Sequence, residues 1–298
     1  MEILSILPYL FVLLGAILWG TTGTAQTFLP ASAHPFTISA GRSAVGGFTL
    51  LLVLVLLKKI NLKSWTWKET IYAGICISLF QLLFFSSVRL TGVAIASVVA
   101  IGSAPVFSGM IEWLFFKLRP TRVWIISTSF AIMGCFFLFL NKGQIMMDPR
   151  GILYSLIAGL VFALYTISSK SLLQKEESIP AVAMTFSVSA VLLLPFFFLY
   201  DVSWLKDVGN VGVILYLGIA TTTVAYVLYA KGLHKIPSSS ALTLSLAEPT
   251  TAAILGVFIV GEVLSVTSWI GILFLLGGII VLTLGASRKK KHIVVSDE

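Results

Sequence analysis

The sequence predicts an all-α integral membrane protein of ten transmembrane helices arranged as two inverted five-helix repeats. Three observations carry that prediction: the composition, the recurrence of apolar runs one bilayer long, and a weak self-match at a constant offset. Of 298 residues, 58% are hydrophobic and 11% charged, with a mean hydropathy of +1.02. A soluble domain carries roughly 45–50% apolar and about 25% charged residues. This chain has too few polar groups to cover a globular surface, which excludes a soluble enzyme, a nucleic-acid module and a disordered tail. Its main solvent is lipid.

Apolar runs fall near 8–28, 35–57, 69–89, 93–116, 122–140, 151–171, 181–200, 209–231, 238–260 and 267–286. Each is close to the ~20 residues that cross ~30 Å of hydrocarbon as a helix. Backbone polar groups in lipid must pair internally, so runs this long are helices. Alternating segments of about 10 residues, which a membrane barrel needs, do not occur. Met1-Glu2 lacks the basic region of a cleavable signal peptide, so span 1 is expected to be retained. The net charge of +8 is placed in the short breaks between spans. The breaks on the N-terminal side hold 15 Lys and Arg, those on the other side hold 4, and Arg42 lies inside span 2. The positive-inside rule then makes the protein a multi-pass protein of the cytoplasmic (plasma) membrane with both termini in the cytoplasm. Cys76 and Cys135 lie inside apolar runs and read as small buried apolar residues, with no disulfide framework and no metal site.

At an offset of 144 residues, Gly15 matches Gly159, Ser43 matches Ser187, Tyr72 matches Tyr216, Gly74 matches Gly218, Pro105 matches Pro249 and Gly134 matches Gly278. A gapless register over five spans, with prolines matched inside spans 4 and 9, points to a duplication with repeats 1–145 and 146–298. Five is odd, so the second repeat, with its basic tail, enters the bilayer from the opposite face. Inverted repeats give secondary transporters two pseudo-symmetric states and a binding site near the midplane.

The span 1 stretch GAILWGTTGTA, with Trp19-Gly20, resembles the opening of EamA-type members of the drug/metabolite transporter superfamily. So do Arg42 in span 2 and the stretch YVLYAKGLHKIPSSSALTLSLAEPTTAAILGVFIVGEVLS, with Glu248-Pro249 and Gly261-Glu262. The likeness covers nearly the whole chain, although the first-half position matching Glu262 is Leu118. The resemblance implies the ten-helix fold and metabolite transport, with a central cavity lined by spans 1, 3, 4, 6, 8 and 9.

Ionisable side chains inside a membrane cost roughly 2.5–3.5 kcal/mol at a helix centre, so each needs a reason. Glu248 lies near the middle of span 9 beside Pro249, which frees a carbonyl one turn earlier. It is placed to carry a proton or face a substrate ammonium, or else to brace the helix. Arg42 can snorkel outward, pin a neighbouring helix or touch substrate. Glu112, one turn from the end of span 4, can pair with Lys117 or Arg119 or serve as a gate. Glu248, Glu112 and Arg42 are thus the coupling or gate candidates, and Pro105 and Pro249 the helix-break positions. Lys170 and Lys231 close spans 6 and 8, where they suit the helix dipole. Glu262, at the outer end of span 9, reads as a solvated family feature.

Trp19, Gln81, Phe84, Phe85, Tyr165, Tyr226 and Tyr229 lie on spans that the resemblance assigns to the cavity, and Ser103 near Pro105 joins them as a substrate-binding candidate. Phe84 and Phe85 point about 100° apart and cannot both face one cavity. Tyr226 and Tyr229 share a face, and a mid-membrane amide such as Gln81 is expected to look inward. Gly74/Ser78, Gly92/Ala96 and Gly159/Ala163 are small-xxx-small pairs that allow close helix contact. Ser238, Ser239, Ser240, Thr243 and Ser245 give span 9 a polar side leading to Glu248, either a wetted pathway or a set of interhelical hydrogen bonds.

The expected function is secondary active transport by alternating access. An enzyme would need a nucleophile–base pair or metal ligands at depth, yet His34, His234 and His292 fall in loops or the tail. A scaffold or receptor would be expected to carry an extramembrane domain, and the longest breaks here are about a dozen residues. The leading expectation is export of a small amino-acid-like metabolite. The alternative is import of an organic cation such as choline, held by an aromatic box and Glu248 through cation–π attraction. Expected partners are a small-molecule substrate, the lipid bilayer and protons as a coupling ion, with no nucleic acid, no metal and no cofactor, in a monomer or weak dimer.

Overall fold

The computed structural model describes residues 2–56, 65–139, 148–261 and 263–295. Among these residues all regular structure is helical; nine helices are long and apolar enough to cross a membrane, and one shorter apolar helix completes ten. In chain order they are α1 (Ile6–Gln26), α2 (Pro35–Leu56), α3 (Trp67–Thr91), α4 (Ala96–Phe116), α5 (Arg122–Leu138), α6 (Pro149–Leu173), α7 (Ser178–Leu199), α8 (Val208–Leu233), α9 (Ser238–Ile259) and α10 (Val266–Gly285). Glu262 lies outside the described residues, as do the loop lysines Lys58, Lys59, Lys63 and Lys142.

Helical hydrogen bonding continues from Trp67 to Phe116, through the short break that the sequence suggests between spans 3 and 4. The chain nevertheless reverses there. Phe80 of α3 stacks on Phe162 of α6, and Gly159 of α6 sits against Ser103 of α4, so both spans meet α6 at the same level. The two span prolines behave differently. α9 turns at Leu246, three residues before Pro249, whose ring takes a donor from the Ser245 carbonyl. α4 carries Pro105 without a break. Two π-helical turns, Ile219–Val224 in α8 and Gly256–Val260 at the end of α9, have no counterpart in the sequence pattern. A π turn inserts one residue and shifts the helix phase, but in a span apolar on nearly every side that shift leaves nothing to read in the sequence. Gly261, at φ 79°, then ends α9 in the left-handed conformation that glycine adopts without steric cost.

Lipid gives helices no hydrophobic reason to associate, so small residues set the contacts. A side chain on Gly20 of α1 would strike the Glu248 carbonyl and Thr251 of α9, and one on Gly15 would strike the Ala225 carbonyl of α8. Gly47 joins α2 to α7 at Phe186 and Ser187, while Gly74 joins α3 to α7 at Val188. Gly134, Gly271 and Gly278 interlock α5 with α10. The outside is apolar, with Leu52, Phe115, Val191 and Leu273 among its exposed residues, as a lipid-facing surface requires. Lys175 pairs with Glu69 at 2.6 Å and Glu176 accepts from the Thr66 amide, so the breaks α2–α3 and α6–α7 share one face, called the basic face below. His34, Arg89 and Tyr200 meet on the far face.

Candidate functional site

Five helices send aromatic rings to one seam. Trp19 of α1 lies 4.6 Å from Tyr226 and 5.0 Å from Tyr229 of α8, and 6.1 Å from Phe162 of α6. Tyr165 stacks on Phe162 and meets Tyr226 edge-on, Phe186 of α7 packs on Tyr226, and Phe80 of α3 extends the cluster. Trp19, Tyr165, Tyr226 and Tyr229 are therefore together, as their positions in the sequence suggest. Phe162, Phe186 and Phe80 also belong. Phe162 precedes Tyr165 by three residues on the same helix face, a spacing that was available in the sequence. Phe84 stacks on Phe80 at the edge of this cluster, and among the described rings Phe85 meets only Phe84. Ser103 lies at the α4–α6 contact, donating to the Ala100 carbonyl with Gly159 against it.

Tyr226 is the link between rings and charges, because it stands within Coulombic reach of both Arg42 and Glu248. Glu248 is ten residues from one end of α9 and eleven from the other, and its backbone carbonyl touches Gly20 beside Trp19. Both Arg42 and Glu248 are half-buried. Arg42 points across to the π turn of α8 and does not snorkel. Its Nε donates to Thr222 Oγ1 at 3.1 Å, and its Nη2 to Thr221 Oγ1 at 3.2 Å and the Thr221 carbonyl at 3.4 Å. Among the described residues nothing hydrogen-bonds the Glu248 carboxylate, the Tyr226 hydroxyl or the buried Trp19 Nε1. Buried polar groups are nearly always paired, so the buried Trp19 Nε1 without a partner, next to an acid and a tyrosine hydroxyl that no protein group answers, needs an explanation.

Gln81 has a different setting. Its Nε2 donates to Ser43 Oγ at 3.3 Å, Ser189 donates to Ser43 at 3.5 Å, and Ser78 donates to Ser189 at 2.9 Å. The amide looks inward, as expected, but into a hydroxyl chain that ties α2, α3 and α7. Glu112 reaches neither Lys117 nor Arg119. Its Oε1 accepts from the Ser238 amide at 2.7 Å and its Oε2 from the Ser239 amide at 3.3 Å, so it caps α9 from α4. Beside it Lys170 Nζ donates to the Ile236 carbonyl. The hydroxyls of α9 from Ser238 to Ser245 are buried, and Thr243 pairs with Thr128 of α5, which makes that part of the polar side interhelical. Among the described residues no cluster of His, Cys, Asp and Glu fits a metal ion.

Comparison with known proteins settles the class. The model of the EamA-like transporter family matches twice, over residues 6–140 and 149–284. The chain belongs to the EamA-like transporter family. It is 43% identical over 282 residues to the uncharacterized transporter YwfM of Bacillus subtilis (strain 168), covering 95% of each chain. It is 26% identical over 303 residues to the threonine/homoserine exporter RhtA of Escherichia coli (strain K12), covering 96% of this chain and 94% of that one. A solved structure described only as "Crystal structure of protein" shares the fold, with a TM-score of 0.82 at 18% identity over 94% of this chain and 98% of that one. This EamA-type chain of the drug/metabolite transporter superfamily is thus a multi-pass membrane transporter of a small molecule.

Proposed function

We propose that this EamA-type protein exports an amino-acid-like solute across the cytoplasmic membrane by alternating access, with the solute held where α1, α2, α8 and α9 meet. The observation that carries this reading is the set of unpartnered polar groups at mid-depth, Trp19 Nε1, the Tyr226 hydroxyl and the Glu248 carboxylate, with Arg42 alongside. Polar groups that no protein group answers are groups that a guest can satisfy. Glu248 holds a substrate ammonium or carries the coupling proton, and the excess of Lys and Arg in the sequence on the N-terminal side of the spans supports a cytoplasmic position for both termini.

Helix contacts support the inverted arrangement of 1–145 and 146–298. α1 packs on α8 and α9, the matching α6 packs on α3 and α4, and α2 pairs with α7 as α5 pairs with α10. Such pseudo-two-fold pairing allows the two halves to rock about a central site. The name of RhtA, a threonine/homoserine exporter, favours an amino-acid-like cargo. A lone organic cation such as choline fits the seam less well, because the Arg42 guanidinium shares it.

Counterflow of labelled amino acids in proteoliposomes tests this reading. The wild type is expected to exchange at least one of them, and Glu248→Gln is expected to lose pH-driven flux. Unchanged transport with unchanged pH dependence in that variant would remove Glu248 from the mechanism.

A further inference from the structure

We infer that Arg42 is the carboxylate-docking group of the seam, held in readiness by the π turn of α8, and that the solute is recognised through a free carboxylate. This deepens the proposed function and rests on the seam being the solute site.

A guanidinium stays charged in proteins and presents five N–H donors in a fixed fork. Here Nε and Nη2 are engaged, each by threonine oxygens, while Nη1 has no partner among the described residues. Every acceptor it has is uncharged. Among the described residues no carboxylate forms a direct ion pair with Arg42, although Glu248 is within Coulombic reach. An arginine whose task was only to hold two helices together would be expected to meet an acid or use its whole fork, since even a half-buried cation at membrane depth is costly with neutral partners alone.

The π turn explains how the acceptors are aimed. Thr221 Oγ1 and Thr222 Oγ1 both donate to the Leu217 carbonyl, at 2.8 Å and 3.0 Å. In a regular α-helix a hydroxyl three or four positions on reaches a carbonyl, and the widened turn also brings the one five positions on within reach. With both hydroxyl protons committed, their lone pairs are left for Arg42. Gly46 lets α2 approach Thr222 closely enough for this contact. The guanidinium is thus fixed in direction and left with donors free. An arriving carboxylate takes Nη1 as a charge-assisted hydrogen bond, stronger than the neutral ones already present. A zwitterion brings an ammonium to Glu248 at the same time, so the two fixed charges of the seam are answered together.

The test is ligand-induced stabilisation of the purified full-length protein, using the amino acid that raises its melting midpoint most among the twenty common ones. Its amide and its amino alcohol, which keep the ammonium and side chain and lack the carboxylate, are expected to bind the wild type at least tenfold more weakly. Arg42→Gln is expected to bind the amino acid at least tenfold more weakly while binding the amino alcohol as the wild type does. The wild-type arm decides even if that variant fails to fold. Equal binding of acid and alcohol by the wild type overturns the inference and leaves the transport reading intact. Binding of simple monocarboxylates without an amine, lost in Arg42→Gln, keeps the inference and overturns the amino-acid cargo. Binding of amines alone, or no response to any carboxylate, overturns it.

Discussion

Two polar clusters lie side by side in the middle of this bundle and differ in one respect. In the Gln81–Ser43–Ser189–Ser78 chain each member finds another protein group, and three helices are tied by it. Around Trp19, Tyr226, Arg42 and Glu248 donors and acceptors are left over. Polarity at depth therefore does not by itself mark a binding site. A cluster that satisfies itself is a brace, and one that does not is open to a guest.

The contrast can be broken or sharpened by substitution. The largest expected effect is at a third cluster of the closed kind, the cap of Glu112 on α9. A carboxylate accepting two buried amides at a helix N-terminus is worth about 2 kcal/mol. Glu112→Ala should lower stability by that amount in reversible unfolding, and it should favour opening toward the basic face in a cysteine-accessibility assay. Unchanged stability would remove the cap from the account. Gln81→Leu should cost about 1 kcal/mol, the net worth of a buried hydrogen bond, with solute affinity unchanged. Tyr226→Phe should do the reverse, losing affinity severalfold with an unaltered melting midpoint, because that hydroxyl has no protein partner to lose. A drop in stability there would show the hydroxyl to be part of a brace.

The smallest effect is expected on the far face. Arg89 donates to His34 Nε2 at 2.6 Å, and the imidazole stacks on Tyr200 at 3.7 Å beside Phe36. Burial, then the Arg89 charge, hold the His34 pKa below its ordinary value. The neutral ring is the favoured form, so this contact is fully present above about pH 6.5 and is lost as pH falls through the lowered value. Labelling of a cysteine placed nearby should therefore rise on acidification, and His34→Gln should flatten that profile. An identical profile in the variant would assign the pH response to another group.

Much of the fold was legible because lipid imposes so few solutions. Run length and composition define the ten crossings, and the second span, expected at 35–57, forms as Pro35–Leu56. Glu248 and Trp19 were legible because a charge or an indole at mid-depth is rare enough to need a purpose. What the sequence conceals is pairing. Glu112 meets amides 126 and 127 positions away, while the nearby Lys117 and Arg119 look like its natural partners and are not. Arg42 can be read as a snorkelling side chain because the π turn that receives it is hidden in a span apolar nearly all round. Phe162 and Phe186 are hidden among 21 phenylalanines, most of which need no reason beyond lipid or packing.

The central claim, that the unpaired groups around Glu248 are the solute site and the paired ones around Gln81 are not, is tested most directly by one titration on three proteins. Thermal stabilisation by the preferred amino acid should be the same size in the wild type and in Gln81→Leu, despite the lower starting midpoint of the latter, and should vanish in Glu248→Gln. Full stabilisation in Glu248→Gln, with loss in Gln81→Leu, would contradict the account.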